Sequence, residues 1–258
     1  MREDMPIGFF DSGVGGLNVL AAARKQMPEE NCIYFGDSLN APYGTKTDEE
    51  IRRLVWAGVD CLLYRGIKAL VVACNTATGV AVDDLRARLD IPVISMEPAI
   101  KPALEQTGGT VLLMATDATI HSARVQALID RYDEDKRVIG VPCRLLAKKI
   151  EDAVFASSDL DAYLAQTLSP FAAENVTAIV LGCTHYPFVR ERILKALGKP
   201  AAVFDGIDGT VRHLQSVLNE RHLKRPPRGE SGTCEILSSR GDETTITLYQ
   251  RLLTGGTL

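Results

Sequence analysis

The chain has 258 residues, of which 46% are hydrophobic and 24% are charged, and its formal net charge is −4. This is the composition of an ordinary globular protein, long enough for one large domain or two smaller ones. A negative net charge disfavours the phosphate backbone of nucleic acids, so we expect no nucleic-acid partner.

The cysteines and the N-terminus indicate a compartment in which thiols stay reduced. The first residues are acidic where a signal peptide would be cationic, and no segment reaches the roughly 18 to 20 apolar residues needed to cross a bilayer. We therefore expect a cytoplasmic protein with no membrane partner. The cysteines form no Cys-x-x-Cys pair and lie at no metal-ligand spacing to the histidines, so we expect no metal. They are Cys32, Cys61, Cys74, Cys143, Cys183 and Cys234.

Short apolar runs alternate with longer amphipathic segments along most of the chain. A capping box over Thr47–Glu50 predicts a helix over Ile51–Tyr64, and the tail predicts a strand over Cys234–Leu237 followed by a helix over Thr244–Leu253. Such alternation predicts an α/β fold with mostly parallel sheets, whose sites gather at the carboxyl ends of the strands. The other predicted strands are Ile7–Phe10, Cys32–Phe35, Leu70–Ala73, Val93–Ser95, Val111–Met114, Ile179–Leu181 and Ala202–Phe204.

The two halves of the sequence look alike. Each begins with a strand that ends in small polar residues, near Asp11 and near Thr116, and continues to a strand that ends in a cysteine, Cys74 or Cys183. We therefore expect two similar three-layer α/β domains, related by a pseudo-twofold axis, with the active site in the cleft between them. The predicted domains are residues 1–97 with 210–258, and residues 98–209.

The segment Asp11–Leu17 follows the first predicted strand and opens a helix. Its glycines let the backbone approach a ligand, and the free amides at a helix start attract an anion. A dinucleotide loop would need a third glycine where Asn18 stands. A carboxylate on these amides fits the spacing equally well.

A lone cysteine after a strand is more often a small buried hydrophobe than a nucleophile. Cys74 and Cys183 differ, because each is followed by hydrogen-bonding side chains such as Thr76 and His185. The imidazole can hold or accept a thiol proton near neutral pH, and a helix N-terminus after each cysteine would favour the thiolate. The other four cysteines are assigned to packing.

Two thiols that face one cleft indicate a particular chemistry. Acyl transfer needs a single activated thiolate, and a second cysteine would have no role in it. Removing a proton from one face of a carbon and delivering a proton to the other face needs two such groups, and it inverts a stereocentre.

Five motifs together resemble the glutamate racemases in both order and spacing. They are Ile7–Leu17, Tyr34–Asp37, Pro42–Lys46, Ala73–Ala77 and Leu181–Pro187. The resemblance implies a cofactor-independent two-thiol racemase that makes D-glutamate for bacterial peptidoglycan. It also implies a homodimer, the usual assembly in that family.

The same resemblance implies residue roles. Cys74 would act on D-glutamate and Cys183 on L-glutamate, and each would serve as the acid for the other; Asp11, His185 and Glu151 would assist them. The family's Pro-Leu-Phe-Val-Pro-like run is replaced here by Arg144–Lys149, which alters the segment before Glu151. The residues that would hold the substrate are Ser12, Pro42, Tyr43, Gly44, Asn75, Thr76, Thr116, Thr119 and Thr184.

Three alternatives stay open from the sequence. A racemase for aspartate or another acidic amino acid is the nearest, but those relatives tend to carry a glutamate where this chain has His185. The hydantoin racemases and the single-cysteine decarboxylases of the superfamily form a second group, and the decarboxylases lack the first thiol, which is Cys74 here. A non-catalytic two-lobed binding protein would need neither thiol.

Overall fold

The computed structural model describes residues 2–155 and 159–255, and it contains two β-sheets with helices on both faces. The strands are β1 (Ile7–Asp11), β2 (Cys32–Gly36), β3 (Ala69–Val72), β4 (Val93–Ser95), β5 (Thr110–Ala115), β6 (Val138–Pro142), β7 (Val176–Leu181), β8 (Ala202–Asp205) and β9 (Cys234–Ser238). The helices are α1 (Leu17–Gln26), α2 (Asp48–Tyr64), α3 (Asn75–Arg88), α4 (Ile100–Gln106), α5 (Asp117–Ile120), α6 (Ala123–Tyr132), α7 (Leu146–Phe155), α8 (Leu160–Leu168), α9 (Arg190–Leu197), α10 (Ile207–Glu220) and α11 (Glu243–Leu253).

Both sheets are parallel throughout their described pairings. The first has the order β4-β3-β1-β2-β9 and the second has the order β6-β5-β7-β8. The strands in the middle of each sheet are apolar runs buried on both faces, as expected where helices cover both sides of a parallel sheet. The predicted α/β fold with two domains of this kind is confirmed.

Separate apolar layers lie against the two faces of each sheet. On the first sheet, Phe9 faces a core shared with α1, α10 and α11, and Phe10 faces a core shared with α2 and α3. On the second sheet, Leu112 faces the core under α7, α8 and α9, and Leu113 faces the core under α4 and α6. Adjacent residues on a strand point to opposite faces, so each domain has three layers.

Two sequence expectations need local adjustment. Helix α2 begins at Asp48, before the predicted start, because Thr47 caps it and accepts a hydrogen bond from the Glu50 backbone at 3.3 Å. Strand β6 was not predicted. It lies at the edge of its sheet, is only partly buried, and contains a glycine and a proline, which weaken the strand pattern.

We propose the domain boundaries given above, residues 1–97 with 210–258 and residues 98–209. Helix α10 begins at Ile207, close to the proposed boundary between residues 209 and 210. It buries Val211, Leu214 and Leu218 in the core of the first sheet. The chain then returns through β9 to the edge of that sheet.

A buried ion pair lies at the amino end of the first sheet. Lys68 precedes β3 and Glu30 precedes β2, and their Nζ and Oε2 atoms are 2.5 Å apart with both side chains almost fully buried. Lys68 also donates to the Glu3 carbonyl at 2.7 Å, and Glu30 accepts from the Arg225 backbone amide at 2.8 Å. The pair therefore ties together the N-terminal segment and the linker that leads to β9.

No helix within the described parts of the chain combines the length and the apolar character needed to span a lipid bilayer.

Candidate active site

Cys74 lies directly after β3, at the carboxyl end of the strand. It is the N-cap of α3, and its Sγ accepts a hydrogen bond from the Ala77 backbone amide at 3.4 Å. The Ser12 hydroxyl lies 3.4 Å from the same sulfur. The predicted helix N-terminus after this cysteine is therefore confirmed.

The start of α3 favours the Cys74 thiolate as predicted, because the Ala77 amide lowers the pKa of the thiol, but burial outweighs this effect. Burial and the charge of Asp11 raise the pKa of the thiol to about 12, and the hydrogen bonds from Ser12 and the Ala77 amide only partly oppose the rise. The helix N-terminus cannot offset the loss of water around a sulfur that is 5% exposed. Cys74 is therefore held as a thiol, the form that can donate a proton.

Cys183 follows β7 at the matching position of the second domain, and its sulfur lies 3.7 Å from His185 Nδ1. The predicted helix start directly after it is wrong, because a 3-10 turn over Tyr186–Val189 comes first. Pro187 lacks the N–H that would close an α-helical bond to the Cys183 carbonyl, and the Tyr186 amide bonds that carbonyl instead at 3.1 Å.

His185 joins Cys183 to Glu151. Its Nε2 atom lies 2.7 Å from Glu151 Oε1, and both side chains are buried. Burial lowers the pKa of His185, but the hydrogen bonds to Cys183 and Glu151 outweigh it and raise the pKa well above its usual value. The imidazole is thus charged at neutral pH. A Cβ at Gly13 would collide with the Glu151 carboxylate, so only glycine permits this approach.

Asp11 lies at the end of β1, fully buried, and binds across the cleft. It accepts a hydrogen bond from the Thr184 hydroxyl at 3.0 Å and from the Gly13 amide at 2.8 Å. Burial raises the pKa of Asp11, and the His185 charge with these hydrogen bonds opposes only part of the rise.

Three threonine hydroxyls form a second contact between the domains. Thr76 Oγ1 lies 3.1 Å from Thr116 Oγ1 and 3.3 Å from Thr119 Oγ1, and the Thr116 hydroxyl donates to Thr119 at 2.9 Å. Thr116 also caps α5, which fixes its direction.

A narrow pocket with a volume of about 10 Å³ lies between the domains. Both sulfurs reach it, although Cys74 and Cys183 come from different sheets. The amide atoms of Asn75, Oδ1 and Nδ2, are buried and have no hydrogen-bond partner in the described part of the chain. Such atoms are suited to a polar ligand. The lining residues are Ser12, Pro42, Tyr43, Gly44, Cys74, Asn75, Thr76, Thr116, Ala147, Cys183 and His185.

The structure thus separates the predicted site residues into two groups. Those in the cavity wall can touch a ligand directly. Behind the wall, Glu151 contacts His185 and Thr119 contacts Thr76. Asp11 and Thr184 also lie outside the wall and contact each other. Ala147 was not predicted, and the sequence gives no signal for it because it lies inside α7, away from every motif.

The raised pKa of Cys74 has a measurable consequence for alkylation. In the ligand-free protein at pH 8, iodoacetamide is expected to label Cys74 about a thousandfold more slowly than a small free thiol, because the thiolate is the reactive species. The rate should rise with pH as the thiol ionises. Mass spectrometry of the Cys74 peptide would measure it, in a Cys61→Ala background that removes the exposed thiol. Labelling at the rate of a free thiol would contradict the assignment.

Two similar α/β domains that each present a thiol to a shared cavity define the class of protein. The sequence profile of the Asp/Glu/Hydantoin racemase family matches residues 17–214, and the chain belongs to this family. It is 43% identical to a glutamate racemase of Clostridium perfringens over 258 residues, covering 98% of this chain and 99% of that protein. It is 44% identical to a glutamate racemase of Clostridium botulinum over 251 residues, covering 97% of each.

Solved structures give the same result. The glutamate racemase of Francisella tularensis in complex with D-glutamate has a TM-score of 0.82 and 29% identity, covering 98% of this chain and 95% of that one. The Escherichia coli glutamate racemase in complex with L-glutamate and the activator UDP-MurNAc-Ala has a TM-score of 0.83 and 29% identity, covering 96% and 95%. The predicted family is confirmed.

Proposed function

We propose that the protein interconverts L-glutamate and D-glutamate, with Cys74 and Cys183 as the two acid–base groups. The observation that carries the proposal is that both cysteines, contributed by different domains, line one pocket. Sequence relatives that are glutamate racemases over nearly the whole chain support glutamate as the substrate.

In the proposed reaction, one proton is removed from the α-carbon and a different proton is added to its opposite face. For L-glutamate, the Cys183 thiolate removes the α-proton, and the Cys74 thiol gives its proton to the opposite face of the carbanion. Cys183 is then a thiol and Cys74 a thiolate, which is the starting state for D-glutamate. The His185 imidazole, with Nδ1 3.7 Å from the Cys183 sulfur, can donate a hydrogen bond to that sulfur during the first step.

The polar atoms of the cavity wall are proposed to orient the substrate. The free amide of Asn75 and the hydroxyls of Ser12, Thr76 and Thr116 offer donors and acceptors for the amino and carboxylate groups. Behind them, Thr184 and Thr119 hold Asp11 and Thr76 in place. Closing the domains removes water, which strengthens these contacts around a developing carbanion.

Two further features belong to the proposal. The D-glutamate formed would serve peptidoglycan synthesis, which places the protein in the cytoplasm. We also propose a homodimer, with a small-molecule substrate, no nucleic-acid or membrane partner, and no added cofactor or metal.

The direct test is incubation of the purified protein with each enantiomer of glutamate and aspartate, followed by chiral chromatography. Both glutamate enantiomers should approach an equal mixture without added cofactor, and aspartate should react far more slowly. Faster conversion of aspartate would favour the alternative of an aspartate racemase. Tight binding of glutamate with no conversion would favour a non-catalytic binding protein.

A further inference from the structure

The Glu151 carboxylate is held on both oxygens by groups from two domains. Its Oε1 atom accepts a hydrogen bond from the Val14 backbone amide at 2.7 Å and pairs with His185. Its Oε2 atom accepts a hydrogen bond from the Ser38 hydroxyl at 3.0 Å. The anion predicted on the amides of the glycine-rich loop is thus, in this closed structure, a side chain of the protein itself.

The direction of the next hydrogen bond follows from proton counting. A serine hydroxyl has one proton, and Ser38 gives that proton to Glu151. The Tyr249 hydroxyl, 2.6 Å from Ser38 Oγ, must therefore be the donor of the bond between them. The hydrogen bonds therefore run in one direction, from Tyr249 to Ser38 and from Ser38 to the buried Glu151 carboxylate. We call these two bonds the series.

Tyr249 is built into this position. It lies on α11, is 0% exposed, and packs edge-on against Tyr34 with ring centroids 5.9 Å apart. Strand β2 ends in Gly36, where a Cβ would lie 2.7 Å from the Tyr249 hydroxyl oxygen. A larger residue at this position would displace the ring. A buried hydroxyl needs a partner, and Ser38 supplies it.

We propose that Ser38 and Tyr249 are positioning residues for the Cys183 half of the reaction. Together they fix the Glu151 carboxylate, which pairs with His185, which in turn contacts Cys183. This inference rests on the proposed function. Neither residue touches the cavity, so both act through Glu151.

The series also links domain closure to the charge at the site. Val14, Ser38 and Tyr249 belong to the first domain, whereas Glu151 and His185 belong to the second. When the domains separate, the carboxylate loses its donors from the first domain, and the His185 charge loses a fixed partner. Cys183 therefore receives its full electrostatic support only in the closed state.

Kinetics of three variants test the series. Ser38→Ala should lower kcat/KM for glutamate about tenfold, the effect expected for one hydrogen bond to a charged group, and Tyr249→Phe, which removes a bond between two neutral hydroxyls, should lower it about threefold. The double variant should be no slower than Ser38→Ala, because the Tyr249 hydroxyl reaches Glu151 through Ser38. If the double variant showed the product of the two single-variant losses in kcat/KM, the proposal would be overturned. Tyr163→Phe is the matched control, since it removes a tyrosine hydroxyl that donates elsewhere, to the Arg144 carbonyl at 2.5 Å.

Alkylation separates positioning from simple loosening and needs no substrate. In Ser38→Ala and Tyr249→Phe, iodoacetamide should label Cys183 several-fold more slowly than in the parent, with Cys74 unchanged, because the neighbouring imidazolium is less well supported. Loosening would instead expose both sulfurs and speed both reactions, and that result would overturn the proposal. If the parent fails to racemise glutamate, the proposed function fails, yet the labelling ratio still decides the role of the series.

Discussion

Replacing either Cys74 or Cys183 with alanine is expected to lower the turnover of both glutamate enantiomers by about 10²–10⁴-fold. Each direction of the reaction uses one sulfur as the base and the other as the acid, so a single missing thiol blocks both directions. Initial rates from L-glutamate and from D-glutamate, measured by chiral chromatography, would show the loss.

Two other cysteines provide matched controls for this experiment. Cys61→Ala removes an exposed thiol, and Cys32→Ala removes a buried thiol at the amino end of β2, away from the cavity. Both variants should retain glutamate turnover close to that of the parent. The circular dichroism spectrum should be unchanged in all four variants. Near-parental turnover by either Cys74→Ala or Cys183→Ala would show that one thiol suffices and would refute the assignment.

The second large effect is on stability and comes from the buried ion pair. Lys68→Met should lower the free energy of unfolding by about 3–5 kcal/mol, because it leaves the charge of Glu30 buried without its partner. For a chain of this size the expected drop in Tm is on the order of 10 °C. Thermal unfolding followed by circular dichroism would measure it.

A double variant and a surface control test the cause of that loss. Adding Glu30→Gln removes the orphaned charge and keeps an acceptor for the Arg225 amide, so it should restore part of the stability. Lys148→Met, which breaks an exposed pair with Asp152, should cost less than about 1 kcal/mol. Equal losses for Lys68→Met and Lys148→Met would mean that burial of the pair is irrelevant. Glutamate turnover by folded Lys68→Met should be unchanged.

The sequence predicted the fold because the buried strands have clear apolar patterns and end in polar motifs. The strands that lead to Asp11, Cys74 and Cys183 were each placed to within a few residues, and the shared cleft follows from parallel topology. The edge strand β6 was missed because partial burial gives no continuous apolar run.

The ionisation and hydrogen bonding of the site residues were harder to predict than the identity of those residues. The effect of a helix N-terminus on Cys74 is local and visible in the sequence, but the burial of Cys74 depends on packing in the core that the first sheet shares with α2 and α3. The hydrogen bond between Ser38 and Tyr249 joins residues 211 positions apart, and no motif connects them. Tertiary packing decides both features.

The most direct test of the two-thiol account is racemisation of L-glutamate in heavy water, stopped after a small fraction has reacted. The sulfur that removes the α-proton should not return it to the product. The D-glutamate should instead carry deuterium supplied by the other sulfur. We predict that nearly all D-glutamate is deuterated at the α-carbon while the remaining L-glutamate is mostly unlabelled. D-glutamate that retains the original proton would show that a single group carries it between the faces, which would contradict the account.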